Sequence, residues 1–271
     1  MPPPLDWPRE WARDRSDQPG WFHAGSNFVL DFHGDPRRAR LVVFSDANHH
    51  MALEACLQRF LARHPQVEDV FYATTPPGVL LQWIEAGAVN VGNLCLALRP
   101  HLFISPPNIL ERVVGGGHAA TQVPFMCSRG NVLLVRRHNP KGIRSISDLV
   151  RPDVRLFLSN PKTEAASYEV YARSLEGLAR RQGLAAGVLA GARIVYGERI
   201  HHREAPQTLA DDRADAAFLY YHLALRYTRI FPETFEFVAL DGTPENPAPE
   251  NVVSRFHLAL IGDGGDWGGQ L

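Results

Sequence analysis

Residues 41–59, LVVFSDANHHMALEACLQR, decide the fold. The apolar run Leu41–Phe44 stops at a polar turn, Ser45-Asp46-Ala47-Asn48-His49. Met51, Leu53, Cys56, Leu57 and Phe60 then follow at near i, i+3, i+4, i+7 spacing, the mark of an amphipathic helix. A buried strand feeding straight into a helix sets the helix N-terminus at the carboxyl end of a sheet. There the first-turn N–H groups and the helix dipole favour an anion. The turn residues are therefore expected to face a ligand.

The same alternation runs outward from this stretch. Strands are expected at 67–73, 102–105, 123–128, 132–136, 154–158, 193–196, 216–219, 235–239 and 256–261. Helices are expected at 48–63, 79–86, 107–114, 147–150, 164–181, 205–211 and 222–230, with Gly87 closing the second as a C-cap. Strands alternating with helices predict an α/β protein with parallel sheets. Residues 1–39, rich in Pro, Trp, Arg and Asp, read as an irregular extension that packs through Trp7, Trp11, Trp21 and Phe22.

The chain has 271 residues, 45% hydrophobic and 21% charged, which suits one large domain or two lobes of about 100–150 residues. A net charge of −1 gives no electrostatic support to a nucleic-acid or anionic-membrane partner. No apolar run approaches the roughly 18 residues of a membrane span. The opening MPPPLDWPREWARDR has no apolar core of the kind a signal peptide needs, so the expected location is cytoplasmic for the chain as written, and periplasmic if its start is trimmed or misassigned. Of the three cysteines, Cys56 falls on the apolar face of its helix and is expected as a buried thiol; without a CxxC pair, zinc-knuckle and redox chemistry are disfavoured.

Three strand-to-helix turns carry small or hydroxyl residues: Ser45–Asn48, Thr74–Gly78 and Thr163–Ser167. Ligands of open α/β sheets sit outside the carboxyl ends of the strands, so these turns could form a nest for a compact polar ligand. The same residue types also favour helix N-caps, and the sequence leaves both uses open. Histidine doublets sit at two turns, His49-His50 and His201-His202. One histidine from each, with Asp46 or Glu198, could ligate a transition metal; alternatively they are surface residues, or donate to an oxyanion while neutral. No GxSxG, P-loop or GxGxxG occurs.

Several stretches together resemble the type II periplasmic-binding-protein fold, most closely the molybdate-type substrate-binding proteins of ABC transporters. They are LVVFSDANHHMALEACLQRF (41–60), WIEAGA (83–88), LFIS (102–105), PPNILERV (106–113), NVLLVRRHNPKGIRSISDL (131–149), FLSNPKTEAASYEVYARSL (157–175) and RADAAFLYY (213–221). The resemblance implies an α/β fold of two lobes with a ligand cleft between them: lobe one from 41–120 plus 239–271, lobe two from 121–238, and residues 1–39 covering lobe one. It implies a solute-binding protein, not an enzyme, that holds a molybdate- or tungstate-like oxyanion with hydroxyls and backbone N–H groups. The ligand positions fall on Asn48, on Thr74 or Thr75, near Ala166 and Ser167, near His202, and on Tyr220. An ABC permease is the implied partner, with a homo-oligomer open and no cofactor beyond the bound oxyanion. Asp46 departs from the family, which has small apolar residues there. A metal or metal-complex binder using Asp46, His49, His50, His201 and His202 is the first alternative. A cytoplasmic enzyme on the same fold, with His49 or His50 as acid or base, is the second.

Overall fold

The structure, a computed structural model, describes residues 32–36, 38–67, 69–91 and 93–262. It divides into two units, with the changes of unit after Cys127 and after Ser254, where the sequence placed them at 120 and 238. In chain order the first unit contains β1 (Phe32–His33), β2 (Leu41–Asp46), a 3-10 turn (Ala47–His49), α1 (His50–Arg63), β3 (Val70–Thr75), α2 (Pro77–Ala86), β4 (Val89–Val91), β5 (Leu94–Leu96), β6 (Leu102–Ser105), α3 (Pro107–Gly115) and β7 (Val123–Cys127). The second contains β8 (Asn131–Arg136), α4 (Ile146–Leu149), β9 (Arg155–Leu158), α5 (Ala165–Arg181), β10 (Arg193–Tyr196), α6 (His201–Ala210), β11 (Ala216–Tyr220), α7 (Tyr221–Ile230) and β12 (Phe235–Val238). The chain then returns to the first unit as β13 (Arg255–Leu260).

The first unit is built on a six-stranded sheet in the order β1-β3-β2-β6-β13-β7. Only β3, β2 and β6 run parallel; β1, β13 and β7 join antiparallel, so the sheet is mixed where parallel sheets were expected. Every residue of β2 is buried, as a central strand covered on both faces requires. Its side chains alternate between two cores. Leu41 and Val43 join Leu53, Val70, Tyr72, Ile104 and Phe256 on one face. Val42 and Phe44 join Leu80, Leu81, Trp83, Phe103 and Leu110, from α2, β6 and α3, on the other. Gly87 does close α2, with φ of 66°, in the left-handed region that glycine adopts without strain.

The second unit carries a five-stranded sheet in the order β10-β9-β11-β8-β12. β10, β9 and β11 are parallel, and β8 and β12 antiparallel. Its segment 248–254 is tied to β8 through Asn251. Asn251 Oδ1 accepts the Asn131 N–H at 2.9 Å, its Nδ2 donates to the Asn131 carbonyl at 2.8 Å, and Ser174 Oγ accepts from both Asn131 Nδ2 and the Val252 N–H.

Several expectations change. Phe32–His33 is an edge strand on β3, not irregular chain. The calls on Trp7, Trp11, Trp21 and Phe22 lie outside the described residues. Cys56 is exposed, as are Cys95 and Cys127, because α1 turns that position away from the sheet. α6 begins one turn before the expected 205. No helix among the described residues is long and apolar enough to cross a membrane.

Candidate functional site

In the first unit, polar burial concentrates where the parallel strands end. Ser45, Asp46, Asn48, Thr74, Thr75 and Ser105 are all buried there. The register pairs Ser45 with Thr74 and Ile104, and Asp46 with Thr75, which leaves Ser105 beside Asp46. Strand alternation then sorts them. Ser45 and Thr74 continue the face that packs on α1; Asp46, Thr75 and Ser105 form a row on the face that packs on α2 and α3.

Each member has a definite role. Ser45 Oγ and His49 Nδ1 are hydrogen-bonded at 3.0 Å, and the His49 ring stands edge-on to Phe256 at 4.3 Å. The pair has the spacing of a nucleophile and its base, but Ser45 has no exposed surface, so it locks the turn instead of meeting a substrate. Asp46 Oδ1 accepts two hydrogen bonds from Asn48, one from the backbone N–H at 2.9 Å and one from Nδ2 at 2.8 Å. Burial pushes the Asp46 carboxyl up to about 6, against those two bonds, which pull it down. Ser105 Oγ is buried with no hydrogen-bond partner among the described residues.

The helix starts differ from the expected nest of N–H groups. Asn48 spends its N–H on Asp46. α2 and α3 each begin on a Pro-Pro pair, Pro76-Pro77 and Pro106-Pro107, which removes two donors from each start. Val79 and Ile109 donate back to the first proline carbonyl of each pair, which leaves one further first-turn N–H per helix, on Gly78 and Asn108. Thr74 and Thr75 are the last residues of β3, Asn48 lies in the 3-10 turn, and Ser167 is inside α5; none of them is an N-cap.

In the second unit the corresponding edge is the carboxyl end of β9, β10 and β11. Ser159, just beyond β9, is buried with its Oγ unpartnered among the described residues. Glu164 is the residue before α5, and its Oε2 accepts the His201 N–H at 3.0 Å, at the first residue of α6. Burial raises the Glu164 carboxyl to about 7; the His201 N–H opposes this and Glu204 adds to it. Ala166 is exposed and Ser167 half-buried on the first turn of α5. His201, His202 and Arg203 are buried at the start of α6. The His201 ring lies against Phe157 and Tyr171 and donates from Nε2 to the Phe157 carbonyl at 3.2 Å. Burial holds it neutral, with its pKa lowered to about 3. Tyr220 ends β11, stacks on His222 and takes a hydrogen bond from Ser254 Oγ at 3.4 Å.

The structure thus gathers Asn48, Thr74 and Thr75 at one strand edge of the first unit. It gathers Ala166, Ser167, His202 and Tyr220 around one strand edge of the second. It does not assemble the metal set: among the described residues no three His, Cys, Asp or Glu side chains converge to hold an ion. Asp46 is tied to Asn48, His49 to Ser45 and His201 to Phe157, and each tie uses an atom that a ligand set would need. Sequence reasoning passed over Ser105, Ser159 and Glu164. The signal was a recurring hydroxyl-Pro-Pro junction, Thr75-Pro76-Pro77 and Ser105-Pro106-Pro107, at the ends of two parallel strands.

Buried hydroxyls and amides at the carboxyl ends of parallel strands, in two α/β units that exchange the chain twice, define a two-lobed solute-binding protein of the type II periplasmic fold. The chain belongs to the family of bacterial extracellular solute-binding proteins, whose model matches residues 41–248. Solved structures share the fold at low identity. The periplasmic molybdate-binding protein of Azotobacter vinelandii is 15% identical, with a TM-score of 0.54 over 85% of this chain and 89% of that one. The sulfate-binding protein SubI of Mycobacterium tuberculosis is 19% identical, with a TM-score of 0.54 over 85% and 78%. The tungstate-binding protein TupA of Desulfovibrio alaskensis is 9% identical, with a TM-score of 0.52 over 82% and 81%. No curated protein matches the sequence.

Proposed function

We propose that this protein binds a small tetrahedral oxyanion of the molybdate and tungstate kind and hands it to an ABC permease, acting by binding and not by catalysis. One observation carries this. In each unit a serine at the carboxyl edge of the parallel strands, Ser105 in one and Ser159 in the other, is buried with a hydroxyl that no described protein group satisfies. An unsatisfied buried hydroxyl costs free energy, and a ligand oxygen at that edge would relieve it.

The proposed contacts are Asn48, Thr74, Thr75 and Ser105 from the first unit. From the second they are Ser159, Ser167, Tyr220 and the backbone at Ala166 and His202. The likeness to molybdate-, tungstate- and sulfate-binding proteins supports the ligand class, and membership of an extracellular family supports a role outside the cytoplasm. Thermal melting with and without molybdate or tungstate tests the proposal. Ligand at about 100 times its Kd adds about 2.7 kcal/mol to the native state, which reads as a rise of several degrees. Ser105→Ala should cut that rise at least by half. An equal rise in the variant would remove Ser105 from the site.

A further inference from the structure

The Asp46 row says which oxyanion the site takes. Across β3, β2 and β6 stand Thr75, Asp46 and Ser105, in register at the strand ends and on one face of the sheet. Thr75 and Ser105 are hydroxyls that donate or accept by rotating. An ionised Asp46 can only accept. Its Oδ1 is filled by the two Asn48 donors, and its Oδ2 accepts no hydrogen bond among the described residues. Both carboxylate oxygens are thus fixed in direction, one satisfied within the turn and one still needing a donor. Asp46 is only 5% exposed, so that donor is not bulk water.

We propose that Asp46 reads the proton of the ligand, so that the site selects hydrogen phosphate over the fully deprotonated sulfate, molybdate and tungstate. The proposal rests on the anion-binding reading above and narrows it. At pH 8 hydrogen phosphate, sulfate and molybdate are all tetrahedral dianions, and only the first carries an O–H. Facing Asp46 Oδ2, that O–H makes a charge-assisted hydrogen bond. A bare sulfate or molybdate oxygen in its place sets lone pair against lone pair in a buried site, and two Asn48 donors that could have compensated are already held by Oδ1. Sites built around a ligand's hydrogen-bonding group reject analogues lacking it by large factors. The burial-raised Asp46 carboxyl, at about 6, is still ionised at pH 8 and keeps its acceptor character there.

Isothermal titration of the full chain with phosphate, sulfate and molybdate at pH 8 and fixed ionic strength tests this, on the wild type and on Asp46→Asn. The asparagine keeps an oxygen for the Asn48 donors and turns an N–H2 toward the ligand. Wild type is expected to bind phosphate about 100-fold or more tighter than sulfate and molybdate. Asp46→Asn is expected to bring the ratio to within about tenfold of unity, chiefly by gaining affinity for sulfate and molybdate. Wild type that binds sulfate or molybdate as tightly as phosphate overturns the proposal and leaves the anion-binding function standing. An unchanged ratio in Asp46→Asn also overturns it. If none of the three binds to wild type, the anion-binding function itself falls. Should the variant fail to fold, the wild-type ratio decides alone.

Discussion

Asp46 is the residue that separates this chain from a plain oxyanion site, and its burial has a consequence that can be measured without any ligand. Its folded-state pKa of about 6 lies above the ordinary 3.8. Above pH 6 the native state therefore carries a buried charge at a cost. The cost is relieved as pH falls through 6 toward 4, because the native state then binds the proton more tightly than the unfolded chain does. Asp46→Asn removes the charge and keeps the acceptor for Asn48. The variant should be more stable than wild type at pH 8, by roughly 2–3 kcal/mol, and no more stable at pH 4. Denaturant melts at the two pH values check it; a variant destabilised at pH 8 would mean that the charge is better compensated than its two bonds suggest. His201 acts with the opposite sign. Burial against Phe157 and Tyr171 lowers its pKa to about 3, so its contribution is lost as pH falls below 6.5. The sequence showed Asp46 and His201 as unusual residues at two turns but not their state. A histidine doublet at a helix start looks polar and available. Its burial comes from β9 and α5, tens of residues away.

At the scale of elements, the strands and helices were legible because apolar periodicity was strong around Leu41–Phe60, Leu102–Val113 and Ala216–Ile230. The misses have local causes. Pro206 suggested a helix beginning at 205, since proline favours a first turn. Instead α6 begins at His201 and Pro206 lies inside it. A proline there cannot donate to the carbonyl of residue i−4, which is His202. Tyr227 on α7 supplies that bond from its hydroxyl, at 2.7 Å. Burial raises the Tyr227 phenol, so it stays a donor. Tyr227→Phe is expected to cost about 1–2 kcal/mol in denaturant unfolding, with far-UV helix content kept. A neutral substitution would show that the helix accommodates Pro206 without help. Edge strands were harder to read: β1 has two residues and β13 enters antiparallel from the far end of the chain, beyond any local pattern. The Pro-Pro starts of α2 and α3 were visible as letters, but their effect on the donor count follows only once they are fixed as the first helical residues after Thr75 and Ser105.

For the whole molecule, the division into two α/β units and the order of elements within them follow from the alternation and from the family resemblance, and family membership now rests on residues 41–248. The unit boundaries were less legible. Val123–Cys127 and Arg255–Leu260 pair with each other in one sheet, a long-range pairing that no local signal announces. The candidate site was legible as turns and not as chemistry. Asn48, Thr74 and Thr75 lie at one buried edge, yet the acceptor Asp46 and the unsatisfied Ser105 emerged only from register and burial. The central claim is that those edges bind a small tetrahedral oxyanion. Isothermal titration calorimetry of the full chain with molybdate, tungstate, sulfate and phosphate tests it most directly. The account predicts saturable, one-to-one binding of at least one of them, weakened about tenfold or more by Thr75→Val, a substitution that removes one buried hydroxyl while keeping the shape of the side chain. Heats indistinguishable from dilution for all four anions would contradict it.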